Sequence, residues 1–90
     1  MAIEIIKADY LGEYRIGIGF KDGTYQEVDF LNFLSTAKNP MISKYLDQNL
    51  FKSFQIEYGD LTWNDFELCF PIWDLYNNRI EHNKEVTHIK

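Results

Sequence analysis

The segment Tyr14-Arg15-Ile16-Gly17-Ile18-Gly19-Phe20 restricts the fold of this chain more than any other stretch. Tyr14, Ile16, Ile18 and Phe20 fall on one face, and Arg15, Gly17 and Gly19 on the other. That period of two belongs to a half-buried strand. Lys21-Asp22-Gly23 follows, and then a second strand-like stretch from Thr24 to Phe30. A two-residue loop at Asp22-Gly23 would set Ile18 against Glu27 and Ile16 against Asp29, placing acids on the apolar face. A three-residue loop sets Phe20 against Thr24, Ile18 against Gln26, Ile16 against Val28 and Tyr14 against Phe30. A one-residue slip inverts a whole strand, so the three-residue register is predicted. It calls for a type I turn over Lys21 and Asp22, with Gly23 left-handed in a G1 bulge. Gly17 and Gly19 read as close-packing positions rather than ligand contacts.

The other elements arrange themselves around this hairpin. Ile3 to Ala8 reads as a strand, and Asp9 to Glu13 as a connection. Phe30, Phe33, Leu34 and Ala37 recur at helical spacing behind Asp29 as N-cap. Asn39 and Pro40 open a second helix carrying Ile42, Tyr45, Leu46 and Leu50, ending near Asn49. Phe54, Ile56 and Tyr58 alternate as a strand. A Gly59-Asp60 turn is expected to pair Tyr58 with Leu61 and Ile56 with Trp63. A tight turn at Asn64-Asp65 then pairs Trp63 with Phe66 and Leu61 with Leu68. Pro71 starts a short helix on Ile72, Leu75 and Tyr76, which Asn77-Asn78 end. The expectation is an α+β fold. An antiparallel sheet comes from the N-terminal hairpin region and a C-terminal three-stranded meander, with two or three short helices. Residues 1–80 form one domain, and residues 81–90 form a flexible tail.

Composition narrows the classes of function. The chain has 90 residues, enough for one domain, and 17% of them are aromatic, enough for a dense core. Nine Lys and Arg against fourteen Asp and Glu leave a net charge of −5. No basic stripe is present to neutralise phosphates, so nucleic-acid binding is disfavoured. Arg79, Lys84 and Lys90 are interleaved with Glu81 and Glu85. Cys69 is the single cysteine, and it reads as a small buried hydrophobe in a reducing, cytoplasmic setting. Met1 is followed by a strand-like segment without signal-peptide character, and no apolar run is long enough for a membrane span.

The chemistry-bearing residues form no recognisable constellation. His82 and His88 lie six apart, away from Cys69, so no metal site is expected. Ser35, Ser43 and Ser53 lack a nucleophile elbow. Asp60, Asp65 and Glu67 gather at the meander, where two of them suit turns. Gly17-Ile18-Gly19 lies inside a strand, so it is not a phosphate loop. No cofactor and no catalytic residue are expected. Trp63, Phe66, Phe70, Trp73 and Tyr76 crowd the C-terminal third, most simply as core. Trp63, Trp73 and Tyr76 are the interaction candidates, because Trp and Tyr serve as interface anchors. Trp73 stands to one side of the Ile72-Leu75-Tyr76 stripe.

The order of features resembles an uncharacterised bacterial family, domain of unknown function 2442. The resemblance covers roughly Ile3 to Tyr76. It is carried by Phe20-Lys21-Asp22-Gly23-Thr24, by Val28-Asp29-Phe30-Leu31-Asn32-Phe33-Leu34, by Leu50-Phe51-Lys52-Ser53-Phe54-Gln55-Ile56 and by Gly59-Asp60-Leu61-Thr62-Trp63-Asn64-Asp65, with a closing Leu75-Tyr76. The family has Pro and Gly near the position of Asn64-Asp65 and an ending like D-x-x-P-x-x-L-Y. Here Glu67 stands in the acid's place, and Pro71 to Tyr76 form a longer, more aromatic ending. The resemblance implies a small α+β fold and a bacterial cytoplasmic origin. It also implies, for some relatives, a toxin–antitoxin-like pairing with another small protein. It brings no catalytic residues.

These readings converge on a non-catalytic protein-interaction module with a protein partner, part of a regulatory or toxin–antitoxin-like gene pair. A homodimer through an edge strand is an added expectation. The alternative is a small-molecule binder or enzyme with a pocket beside the aromatic cluster.

Overall fold

The computed structural model describes residues 3–80. The fold is α+β, as predicted, but its strands form two separate antiparallel sheets of three. The first contains β1 (Ile5–Gly12), β2 (Arg15–Phe20) and β3 (Tyr25–Asp29) in that order. The second contains β4 (Gln55–Glu57), β5 (Asp60–Trp63) and β6 (Leu68–Cys69), again in order. Between them run α1 (Leu31–Thr36), α2 (Pro40–Ser43), a 3-10 turn (Lys44–Leu46) and α3 (Gln48–Phe51). The helix α4 (Ile72–Tyr76) follows the second sheet. Among the described residues there are four short α-helices, where two or three were expected. The predicted tail, residues 81–90, lies outside the described residues.

The β2–β3 hairpin has the three-residue loop. Ile16 pairs with Val28 and Ile18 with Gln26. The Phe20 N–H donates to the Thr24 carbonyl at 2.8 Å, and the Gly23 N–H to the Phe20 carbonyl at 2.9 Å. Gly23 has φ +94. Ile16, Ile18, Phe20 and Val28 are all buried. On the outer face Tyr25 lies across Gly17, where a Cβ would meet its hydroxyl at 2.1 Å. Gly17 is therefore a close-packing position.

The expected connection at Asp9 to Glu13 is mostly strand. Asp9 pairs with Gly17 and Tyr10 with Ile16. Asp9 and Gly12 are poor strand formers, and pairing with β2 overrides that preference. The hairpin closes beyond a bulge, with Gly12 at φ +114 and Glu13 at φ 52.

The middle helix is not continuous. Asn39 caps α2, accepting from the Met41 N–H, and Pro40 opens it as predicted. Asp47, in extended backbone, then interrupts the run and caps α3 by accepting from the Asn49 N–H at 2.9 Å. A side chain that caps its own successor favours a restart over continuation. Asp29 also binds the next turn, accepting from the Leu31 N–H, although Phe30 occupies the cap position of α1.

The β4–β5–β6 meander keeps the predicted faces but not the predicted pairs. Ile56 pairs with Leu61, not Trp63, around a two-residue Tyr58-Gly59 turn. Tyr58 at φ 55 and Gly59 at φ 82 make it type I′. Trp63 pairs with Leu68, not Phe66, around the four-residue loop Asn64 to Glu67. Each register is displaced by two residues, which leaves every side chain on its original face.

The two sheets meet where the Ile5 N–H donates to the Gly59 carbonyl at 2.9 Å, beside the Lys21 N–H to Glu4 carbonyl bond of 2.8 Å that extends the β1–β2 pairing. Below this seam the core is strongly aromatic. Trp63 is fully buried among Phe30, Tyr45, Phe51, Phe54 and Phe70, with ring centroids 5.8–6.2 Å away. Its indole N–H donates to the Phe51 carbonyl at 2.7 Å.

Candidate interaction surface

Three αL residues in succession shape one end of the second sheet. Asn64 (φ 48), Asp65 (φ 56) and Phe66 (φ 68) all carry side chains in a backbone region that L-residues enter at a cost of about 1–2 kcal/mol each. Such a run persists only where surrounding contacts hold it. Here Glu67 holds it. Its carboxylate accepts from the Asn64 side-chain amide at 3.0 Å, the Tyr45 hydroxyl at 2.6 Å and the Lys44 ammonium at 2.9 Å. The Glu67 N–H also donates to the Asn64 carbonyl at 3.1 Å.

This network perturbs both of its titratable anchors. Hydrogen bonds from Asn64, Lys44 and Tyr45 hold the Glu67 carboxyl down at about 2. Burial, reinforced by the Glu67 carboxylate, pushes the Tyr45 phenol up to about 12. A carboxyl depressed in the folded state contributes stability that is complete above its ordinary value of 4.5 and is lost as pH falls towards about 2. The urea midpoint is expected to fall across that window, and to fall less in Glu67→Gln. Identical pH profiles for the two proteins would remove Glu67 as the anchor of the turn.

The turn presents Phe66 at the surface, 41% exposed, with its ring stacked on Tyr58 at 6.4 Å and 18°. Tyr58 is 94% exposed at the tip of its type I′ turn. Ile56 and Leu50 add exposed apolar surface. Glu57 and Asp60 flank the Tyr58-Gly59 turn as direct cross-strand partners. From Ser53 to Asn78 the chain contains no Lys, Arg or His, but Glu57, Asp60, Asp65, Glu67 and Asp74 all fall within it. Among the described residues, no cation pairs with Glu57, Asp60 or Asp65.

An open cleft of about 410 Å³ lies beside the network, lined by Lys44, Tyr45, Leu50, Ser53, Gln55, Asn64 and Asp65. Several of its polar groups already bind each other or the backbone. Lys44 and Asn64 hold Glu67, and the Ser53 hydroxyl donates to the Leu50 carbonyl at 2.6 Å. Tyr45 is its one aromatic lining residue, so the cleft does not adjoin Trp73 or Tyr76.

Of the three sequence-nominated anchors, Trp73 and Tyr76 are brought together and Trp63 stands apart from them. Trp63 is a core residue with its polar atom satisfied, and offers nothing to a partner. Trp73 is 49% exposed on α4, edge-on to Tyr76 at 5.2 Å. Tyr76 is half-buried and ties α4 to the first hairpin, its hydroxyl donating to Asp22 at 2.6 Å. That bond, with the Thr24 N–H, lowers the Asp22 carboxyl. Gln26 donates to the Tyr76 carbonyl, and Asn78 donates to the Glu27 carbonyl. These contacts cover the outer edge of β3. Cys69 is exposed rather than buried, at the edge of the second sheet.

Tyr58 and Phe66 were not singled out together by sequence reasoning. Tyr58 reads as the last residue of an alternating strand, whereas it occupies the turn. Among the described residues, no helix is long and apolar enough to cross a membrane. Comparison with protein-family models, curated proteins and solved structures finds no match to this chain.

Proposed function

We propose that this domain is a non-catalytic interaction module that docks a protein partner on the Tyr58–Phe66 end of its second sheet. One observation carries the reading: two aromatic rings stand stacked and exposed on turns of defined, partly strained backbone. Rigid exposed aromatics are efficient anchors, because little side-chain freedom is lost when a partner covers them. The likeness to domain of unknown function 2442 supports a bacterial, cytoplasmic setting and a partner encoded beside this chain in a regulatory or toxin–antitoxin-like pair.

The test is co-purification with the product of the adjoining gene, comparing the native chain with Tyr58→Ser/Phe66→Ser. The native chain is expected to retain the partner, and the variant to lose roughly 30-fold or more in affinity, the cost of about 2 kcal/mol typical of a hot spot. Retention that ignores the substitution overturns the assignment of the surface. A dimer through an edge strand is the competing occupant, and light scattering on the purified chain separates it from a second protein.

A further inference from the structure

We infer that the partner inserts an arginine at this surface, its guanidinium resting against the Tyr58 or Phe66 ring and neutralising the Glu57–Asp60 pair. The inference rests on the interaction reading and names the chemistry of the partner.

The first support is the like-charge pair itself. Glu57 and Asp60 face each other directly across β4 and β5. Like charges in that relation are destabilising. Both remain at least partly solvent-accessible. Among the described residues neither has a cation beside it. Lys44 is bound to Glu67 at 2.8 Å. A cation from another molecule would relieve the repulsion that the chain itself leaves in place.

The second support is the aromatic pair. Tyr58 sits between Glu57 and Gly59 in the turn that joins the two acids, with its ring nearly parallel to Phe66. Among the described residues, the two cations that stand over rings are Lys44 over Tyr45 and Lys52 over Tyr10. Neither cation stands over Tyr58 or Phe66, and Tyr58 is 94% exposed. A cation over a ring face is attracted by the ring quadrupole, and arginine is used more often than lysine. Its planar guanidinium stacks on a ring while its N–H groups reach carboxylates in the same plane.

The field around the surface favours the same occupant. Of the five carboxylates from Ser53 to Asn78, Glu67 and Asp74 are paired with Lys44 and Arg79, which leaves Glu57, Asp60 and Asp65 without an ion pair among the described residues. An arginine-bearing segment would be steered towards them, whereas a second copy of this chain, also at −5, would be repelled.

The test is calorimetric titration with an N-acetylated, C-amidated tetra-arginine peptide, with tetra-lysine and tetra-glutamate as comparisons. Arginine is expected to bind more tightly than lysine, glutamate not at all, and added salt to weaken the binding. Tyr58→Leu keeps apolar bulk but removes the ring, and should weaken arginine binding at least tenfold. Glu57→Gln/Asp60→Asn should weaken it at least as much, while its urea midpoint equals or exceeds that of the native chain. That second readout separates lost recognition from lost folding. No arginine binding at low salt, lysine binding as tightly as arginine, or indifference to both variants each overturns the inference. If those results accompany Tyr58-dependent retention of the gene-pair partner, the interaction surface stands and only the arginine falls.

Discussion

Trp63→Ala is expected to destabilise the domain by about 4 kcal/mol, within the range for truncating a buried aromatic side chain. The indole is fully buried and in contact range of five other rings. Its loss would leave a cavity at the point where the two sheets and the middle helices converge. It would also leave the Phe51 carbonyl without its 2.7 Å donor. For a domain of this size each kcal/mol lowers the melting temperature by about 4–8 °C. The variant should therefore be largely unfolded at physiological temperature. Trp63→Phe fills part of the space but still lacks the donor, so its midpoint should fall between the two. Urea unfolding followed by circular dichroism measures all three. A loss below about 1 kcal/mol for the alanine variant would mean that Trp63 is not the keystone of the core.

Gly59→Ala is expected to cost about 2 kcal/mol, roughly twice the cost of Gly23→Ala. Both glycines have positive φ, +82 and +94. They differ in their surroundings. A Cβ on Gly23 would meet nothing within 4 Å, so alanine there meets only the backbone penalty. A Cβ on Gly59 would lie 3.0 Å from Glu4 Cγ and 3.2 Å from Glu4 Cβ. Glu4 must then move, and the adjacent Ile5–Gly59 hydrogen bond is strained. The difference between the two variants isolates the seam between the sheets. Equal costs would show that Glu4 yields freely and that the seam contributes little.

Much of this architecture was legible in the residues, for reasons that also explain where it was not. The first hairpin could be read to the residue because only one register keeps Glu27 and Asp29 off the face of Ile16 and Ile18. The meander offered no such contrast. Pairing Ile56 with Leu61 or with Trp63 buries apolar side chains equally well, so face-counting could not choose. The observed turn also places Tyr58 at φ 55, against the preference of a bulky side chain. The middle helix split because Asp47 competes for backbone donors locally, an effect that hydrophobic spacing does not register.

The candidate surface was legible in a different way. Aromatic content pointed to Trp63, Trp73 and Tyr76, of which Trp63 lies in the core, Trp73 is exposed and Tyr76 is half-buried. Trp63 went into the core because β5 is the central strand of its sheet. Tyr58 and Phe66 emerged because both sit in turns. The absence of any cation between Ser53 and Asn78 is visible in the sequence, but only the structure shows that Lys44 reaches Glu67 and leaves Glu57, Asp60 and Asp65 without an ion pair among the described residues.

The bond from Tyr76 to Asp22 spans 54 positions of the chain. During synthesis the first hairpin leaves the ribosome well before the helix that fastens its tip. The turn at Lys21-Asp22-Gly23 can form early on its own backbone bonds, and it gains the Tyr76 bond only after α4 has been made. The part of the molecule most easily written in local sequence thus receives a long-range fastening as well as its local one.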